Sequence, residues 1–94
     1  MRVQAKRGRG DVEKERLRQA STGLRATLAA NVRQLREREG LSQEELATKA
    51  GLHRTYVGSV ERAERNVTLS TLEAFASAFG VDVPSLLQEG TPHV

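Results

Sequence analysis

Arg54, Thr55, Tyr56 and Ser59 cluster in LSQEELATKAGLHRTYVGSVERAERN, residues 41–66, on the second of two short helical patterns separated only by Gly51-Leu52. Side chains of these types recognise by directional hydrogen bonds. Arg54 carries a guanidinium fork that can donate two parallel hydrogen bonds to guanine O6 and N7, worth about 1–3 kcal/mol of discrimination. Thr55 adds a hydroxyl for a base or phosphate and a methyl group for thymine. A helix entering a major groove by its N-terminal end offers base edges only the residues of its first two turns, which here are Arg54, Thr55, Gly58 and Ser59. His53, at the expected cap of that helix, is a mediocre cap and is available to face a phosphate.

Catalytic chemistry finds little support. No nucleophile stands with a base, and acids such as Glu37, Glu39, Glu44 and Glu45 interleave with arginine at helical spacing, as on solvated helix faces. The absence of cysteine excludes disulfides, thiolate zinc sites and cysteine nucleophiles. The two histidines, His53 and His93, are too far apart for a metal pair at helical spacing. No enzyme activity, cofactor, metal or small-molecule ligand is expected. No run approaches the roughly 20 apolar residues of a membrane span, and no apolar signal segment follows the charged N-terminus. The expected location is cytoplasmic, with no membrane partner.

A chain of 94 residues has the size of one domain. Its net charge of +3 is unevenly placed: residues 1–22 hold seven Lys/Arg against three acids, and residues 23–94 hold eight against nine. DNA contact by the folded part therefore has to come from the placement of individual residues, not from total charge. Residues 1–22 are poor in large aliphatics and are expected to form a basic, mobile arm, with DVEKERLRQA as a candidate fraying helical extension. That arm reads either as a phosphate contact or as a solvated tail.

Helical periodicity begins at Leu24. Leu24, Leu28, Val32 and Leu35 form one stripe of a first helix near 24–39, stopped by Gly40-Leu41. Ser42 and Glu45 make a capping box for a second helix, with Leu46, Ala47 and Ala50 inward and Gly51 at its end. Tyr56, Val57 and Val60 mark a third. Thr68 caps a fourth, whose expected buried face is Leu69, Leu72, Phe75, Ala76 and Phe79, and Gly80 stops it. Asp82 caps a last short helix with Pro84 in its first turn, and residues 89–94 read as a frayed end. The fold class is all-α: five short helices around one core, residues 23–88, behind a flexible N-terminal arm. Gly58, costly inside a helix, reads either as a close approach of backbone to DNA or to a neighbouring helix, or as a merely tolerated glycine.

Two helices joined by a short glycine turn satisfy the description of a helix-turn-helix. The stretch from Leu41 to Val83 resembles the phage-repressor type of helix-turn-helix domain, the XRE-like family, and HRTYVGSVERAERN within it resembles the controller proteins of restriction-modification systems. The resemblance, spanning roughly residues 24–88, implies a DNA-binding transcriptional regulator. It also implies that Gln43, Arg65 and Asn66 grip the DNA backbone, and that Arg36 and Glu61 form a partly buried ion pair between the first helix and the end of the third. For Tyr56 it implies contact with phosphate or a deformed base step, with half-buried packing against the second helix as the alternative.

One such domain reads about four or five base pairs, too few to single out a genomic site, so a homodimer on a roughly palindromic operator is expected. Phe79, Val83, Leu86 and Leu87 are the expected dimer face, because the terminal helices carry more apolar residues than a small core needs. Rival readings are an antitoxin of a toxin-antitoxin pair, disfavoured by an arm poor in apolar anchors, and a protein-binding adaptor, disfavoured by the grouping of Gln43, Arg54, Arg65 and Asn66.

Overall fold

The computed structural model describes residues 9–90, and residues 1–8 and 91–94 lie outside that description. Part of the expected N-terminal arm and most of the expected frayed C-terminus therefore lie outside the described residues. Five helices follow in chain order: α1 Arg9–Arg38, α2 Gln43–Ala50, α3 Arg54–Glu61, α4 Leu69–Phe79 and α5 Val83–Leu86. The described structure is all-α, as its periodicity requires.

Local chemistry sets the helix ends. Ser42 Oγ accepts from Glu45 N at 3.0 Å while Glu45 Oε1 accepts from Ser42 N at 2.8 Å, so the capping box of α2 is closed in both directions. Thr68 Oγ1 accepts from Thr71 N at 3.1 Å at the start of α4. Asp82 Oδ1 accepts from Ser85 N at 3.0 Å and from the Ser85 hydroxyl at the start of α5. The Ser85 hydroxyl, followed by the Ser85 amide, holds the Asp82 carboxyl below the ordinary carboxylate range.

Two expectations about α1 change. The helix begins at Arg9, well upstream of Leu24, and continues through DVEKERLRQA without a break. Most of that stretch consists of strong helix formers, and one interior glycine, Gly23, costs at most about 1 kcal/mol, too little to end a propagating helix. Leu24, read as part of the inward stripe, is 51% exposed, and the first core residue of α1 is Leu28.

From Leu28 onward α1 forms one wall of the core. Leu28, Val32 and Leu35 meet Leu46 and Ala47 of α2, Val57 and Val60 of α3, Leu72, Phe75, Ala76 and Phe79 of α4, and Leu86 of α5. Burial of each large aliphatic or aromatic side chain there stabilises the fold by about 1.5–3 kcal/mol. Leu69, expected on the buried face of α4, is 78% exposed, because the first turn of α4 extends past the end of the core.

The expected dimer face also has to be divided. Phe79 is 2% exposed and Leu86 is 0% exposed, so both belong to the core of the single chain and cannot also cover a partner. Val83 and Leu87 pack against the same core while remaining partly exposed. Asn31 explains why α5 sits there despite its single turn. Its Nδ2 donates to Leu86 O and to Gln88 O, each at 2.8 Å, so a buried amide on α1 satisfies the carbonyls at the end of α5.

Candidate nucleic-acid interface

The geometry of the site starts at Gly51. It lies at φ 72°, where a side chain would be strained, and its N–H and that of Leu52 fold back onto Ala47 and Thr48 carbonyls, with Leu52 N to Ala47 O at 2.8 Å. The chain thus leaves α2 sharply and enters α3 after only Leu52 and His53. His53 occupies the cap position of α3 in extended conformation, is exposed, and makes no side-chain capping hydrogen bond. The first N–H groups of α3 are left open toward solvent.

Arg54 and Thr55 form the exposed first turn of α3. Neither side chain has a hydrogen bond or ion pair to another described residue. Ser59, expected beside them as a base reader, is 5% exposed. Its hydroxyl donates to Tyr56 O at 2.8 Å and accepts from Arg65 Nε at 3.1 Å, so its one proton and one lone pair are used inside the protein and it is too buried to reach a base edge. By helical spacing it follows Thr55 on the same side of α3, but the loop that carries Glu64 and Arg65 folds back over it and covers it.

Gly58 lies close to two side chains, one at the end of its own helix and one on α2. A Cβ built there would stand 3.2 Å from Arg62 Nη1 and 3.4 Å from Gln43 Oε1. Gln43, at the first position of α2, is half-buried and donates from Nε2 to Glu61 Oε1 at 3.0 Å. The amide is thus wedged between the backbone of α3 and a carboxylate, and one of its two amide protons is spent inside the protein.

Glu61 is the hub of the scaffold. Arg36 Nε meets Glu61 Oε2 at 2.6 Å and Arg36 Nη2 meets Oε1 at 3.0 Å, a two-pronged pair in which the carboxylate is 3% exposed and the guanidinium 15%. Arg36 Nη1 also donates to Leu41 O at 2.8 Å, and Arg33 Nη2 donates to Glu61 O at 2.9 Å. The hydrogen bond that Arg36 donates to Glu61 raises the Arg36 pKa against the opposing effect of burial. This network ties α1, the α1–α2 turn, α2 and the end of α3 together. The position of the first turn of α3 relative to the body is fixed by it.

After α3 the chain turns at Ala63, the single described non-glycine residue with positive φ, at 61°. Glu64 N then bonds to Ser59 O at 3.0 Å, and the loop brings Arg65 back over α3. The Arg65 guanidinium stacks over the Tyr56 ring at 5.2 Å from its centroid. Tyr56 is half-buried, and Asn66 is exposed in the loop just beyond. His53, Arg54 and Thr55 are thus exposed at the start of α3, and the Tyr56–Arg65 stack and the exposed Asn66 follow on the same helix and the loop after it.

Three structural residues were not singled out by sequence reasoning: Asn31, Arg33 and Ala63. Asn31 had a signal, since it is an amide set directly beside the stripe of Leu28, Val32 and Leu35. Arg33, one turn before Arg36, had the weaker signal of i, i+3 spacing. Ala63 had none.

Among the described residues there is no cluster of three or more His, Cys, Asp or Glu that could hold a metal ion. No described helix is long and apolar enough to cross a membrane.

Comparison with known proteins decides the family. A helix-turn-helix family model, HTH_3, matches residues 32–86, which takes in the whole of α2, the Gly51 turn and α3. The chain belongs to this helix-turn-helix family. Control protein C.SmaI of Serratia marcescens is 59% identical over 64 residues, covering 68% of this chain and 76% of that protein. The crystal structure of the hypothetical transcription factor NHTF from Neisseria superposes with a TM-score of 0.70 at 49% identity, over 73% of this chain and 78% of its own. A structure of C.Esp1396I bound to a 25 base pair operator site superposes with a TM-score of 0.61 at 32% identity, over 67% of this chain and 83% of its own. The controller-protein resemblance carried by HRTYVGSVERAERN is thus matched along the whole domain of this helix-turn-helix protein.

Proposed function

We propose that this helix-turn-helix protein is a sequence-specific DNA-binding transcriptional regulator of the restriction-modification controller type, acting as a homodimer on a roughly palindromic operator. The observation that carries the reading is the exposed first turn of α3, where Arg54 and Thr55 are held on a rigid frame without any intramolecular partner. A solvated arginine with no structural duty, at the leading end of a helix that enters by its N-terminus, has the placement a guanine reader needs. The likeness to C.Esp1396I, whose structure holds a 25 base pair operator, supports the same assignment.

Around that turn the remaining residues orient the protein on the phosphate backbone. Gln43 offers its second amide proton from the start of α2, where helix N–H groups favour an anion. His53, Tyr56, Arg65 and Asn66 surround the other side of α3 and complete the grip. Contacts of this kind set register and carry no sequence information. Discrimination rests on Arg54 and Thr55.

Dimerisation uses Val83 and Leu87, the partly exposed members of the expected face once Phe79 and Leu86 are assigned to the core. Two-fold symmetry then sets recognition helices about 34 Å apart, on half-sites about 10 base pairs centre to centre. The regulator works by occupancy, without catalysis, in the cytoplasm.

The salt dependence of duplex binding tests this reading. A dimer neutralising six or more phosphates loses about a thousandfold in affinity or more between about 50 and 200 mM salt. Binding to DNA that is absent, or flat across that range, would instead favour the adaptor reading, in which the same face docks a protein.

A further inference from the structure

We propose that Ser59 is a positioning residue for DNA binding: it holds the Arg65 guanidinium over the Tyr56 ring so that the backbone clamp exists before DNA arrives. This rests on the regulator reading above and deepens it. Ser59 is buried inside α3, yet its hydroxyl does more than satisfy itself. By donating to Tyr56 O at 2.8 Å it fixes the direction of its lone pairs, and one of these accepts Arg65 Nε at 3.1 Å from the loop. The same guanidinium lies 5.2 Å from the centroid of the Tyr56 ring. Two restraints of different kinds, a hydrogen bond at Nε and a stacked face, therefore act on one exposed side chain.

An unrestrained arginine has large rotamer freedom, and part of it is lost whenever it grips a phosphate. Here the loss is taken on folding. Nε is the donor spent on Ser59, which leaves Nη1 and Nη2, an edge able to pair with phosphate oxygens two at a time, on an exposed side chain. The turn that delivers Arg65 passes through Ala63 in the left-handed region and closes on Ser59 O through Glu64 N at 3.0 Å. Backbone and side chain of Ser59 thus both anchor the loop that carries the clamp.

A double-mutant cycle on the full chain, with binding to its selected operator read by fluorescence anisotropy, separates positioning from general support. Ser59→Ala is expected to weaken binding about threefold to tenfold in the wild-type background, the scale of one hydrogen bond, and to have almost no effect in an Arg65→Ala background. Base preference stays unchanged in both. NMR of the free protein supplies an independent arm: the Arg65 δ protons are expected to be shifted upfield by the Tyr56 ring, the single tyrosine of the chain, and Ser59→Ala is expected to abolish that shift. Equal losses in both backgrounds, or an Arg65 shift that survives Ser59→Ala, would overturn the positioning role while leaving the regulator reading intact. A wild-type chain that bound no duplex would remove the regulator reading, and the positioning role with it.

Discussion

Arg36 of α1 and Glu61 of α3 grip each other through two hydrogen bonds, at 2.6 and 3.0 Å, while Gln43 of α2 donates to the same carboxylate. Three helices therefore share one charge centre. The pair sits behind the recognition turn and not on the exposed face, so its work is to fix where Arg54 and Thr55 stand.

Glu61→Gln tests that assignment. It leaves the Arg36 guanidinium half-paired in a largely buried site, which costs about 3 kcal/mol and lowers Tm by roughly 10 °C or more. Site preference in a duplex-selection experiment is expected to be unchanged. A variant with wild-type Tm would show that the pair does not carry the frame.

Ala63→Gly is expected to stabilise the protein by about 0.5–1 kcal/mol. Ala63 lies at φ 61°, where an L side chain costs about 1–2 kcal/mol, and the added chain entropy of glycine offsets only part of that gain. Thermal unfolding reads the change, and a lower Tm for the glycine variant would contradict it.

Asn31→Ala removes the donor to Leu86 O and Gln88 O and leaves buried carbonyls unpaired, at a cost of about 1–3 kcal/mol. Hydrogen exchange is expected to accelerate at the amides of α5 well before those of α2 and α3. Uniform acceleration along the chain would mean that α5 is not a separately held element.

Leu87→Asp and Leu86→Asp distinguish interface from core. The first is expected to give a folded monomer at micromolar concentration by sedimentation velocity, and the second to abolish folding, because Leu86 is fully buried in the single chain. A Leu87→Asp protein that remained dimeric would move the interface elsewhere.

Apart from the start of α1, where the stretch of charged helix formers ahead of Leu24 was read as a mobile arm, the helix starts and stops were legible because they rest on local rules: Ser42 with Glu45, Thr68 and Asp82 as caps, Gly51 as a left-handed stop. The Arg36–Glu61 pair was implied by family likeness, since nothing local links residues that far apart. What escaped was whatever depends on how far the core reaches. Leu24 and Leu69 have core chemistry and helical register, yet each lies past an end of the packed region and is exposed. Phe79 and Leu86 looked surplus until α5 was seen pinned by Asn31. Ser59 shares α3 with Arg54, but the loop that returns over the helix covers it, and its hydroxyl is engaged by Tyr56 and Arg65.

Selection of bound duplexes from a random library by the purified protein at physiological salt tests the central claim most directly, run in parallel for wild type and Arg54→Ala. The account predicts enrichment of a palindrome with half-sites about 10 base pairs apart, and a guanine preference at one position of each half-site that Arg54→Ala relaxes by about 1–3 kcal/mol. A folded wild-type protein that enriches no sequence, or an Arg54→Ala protein that enriches the same guanine, would contradict it.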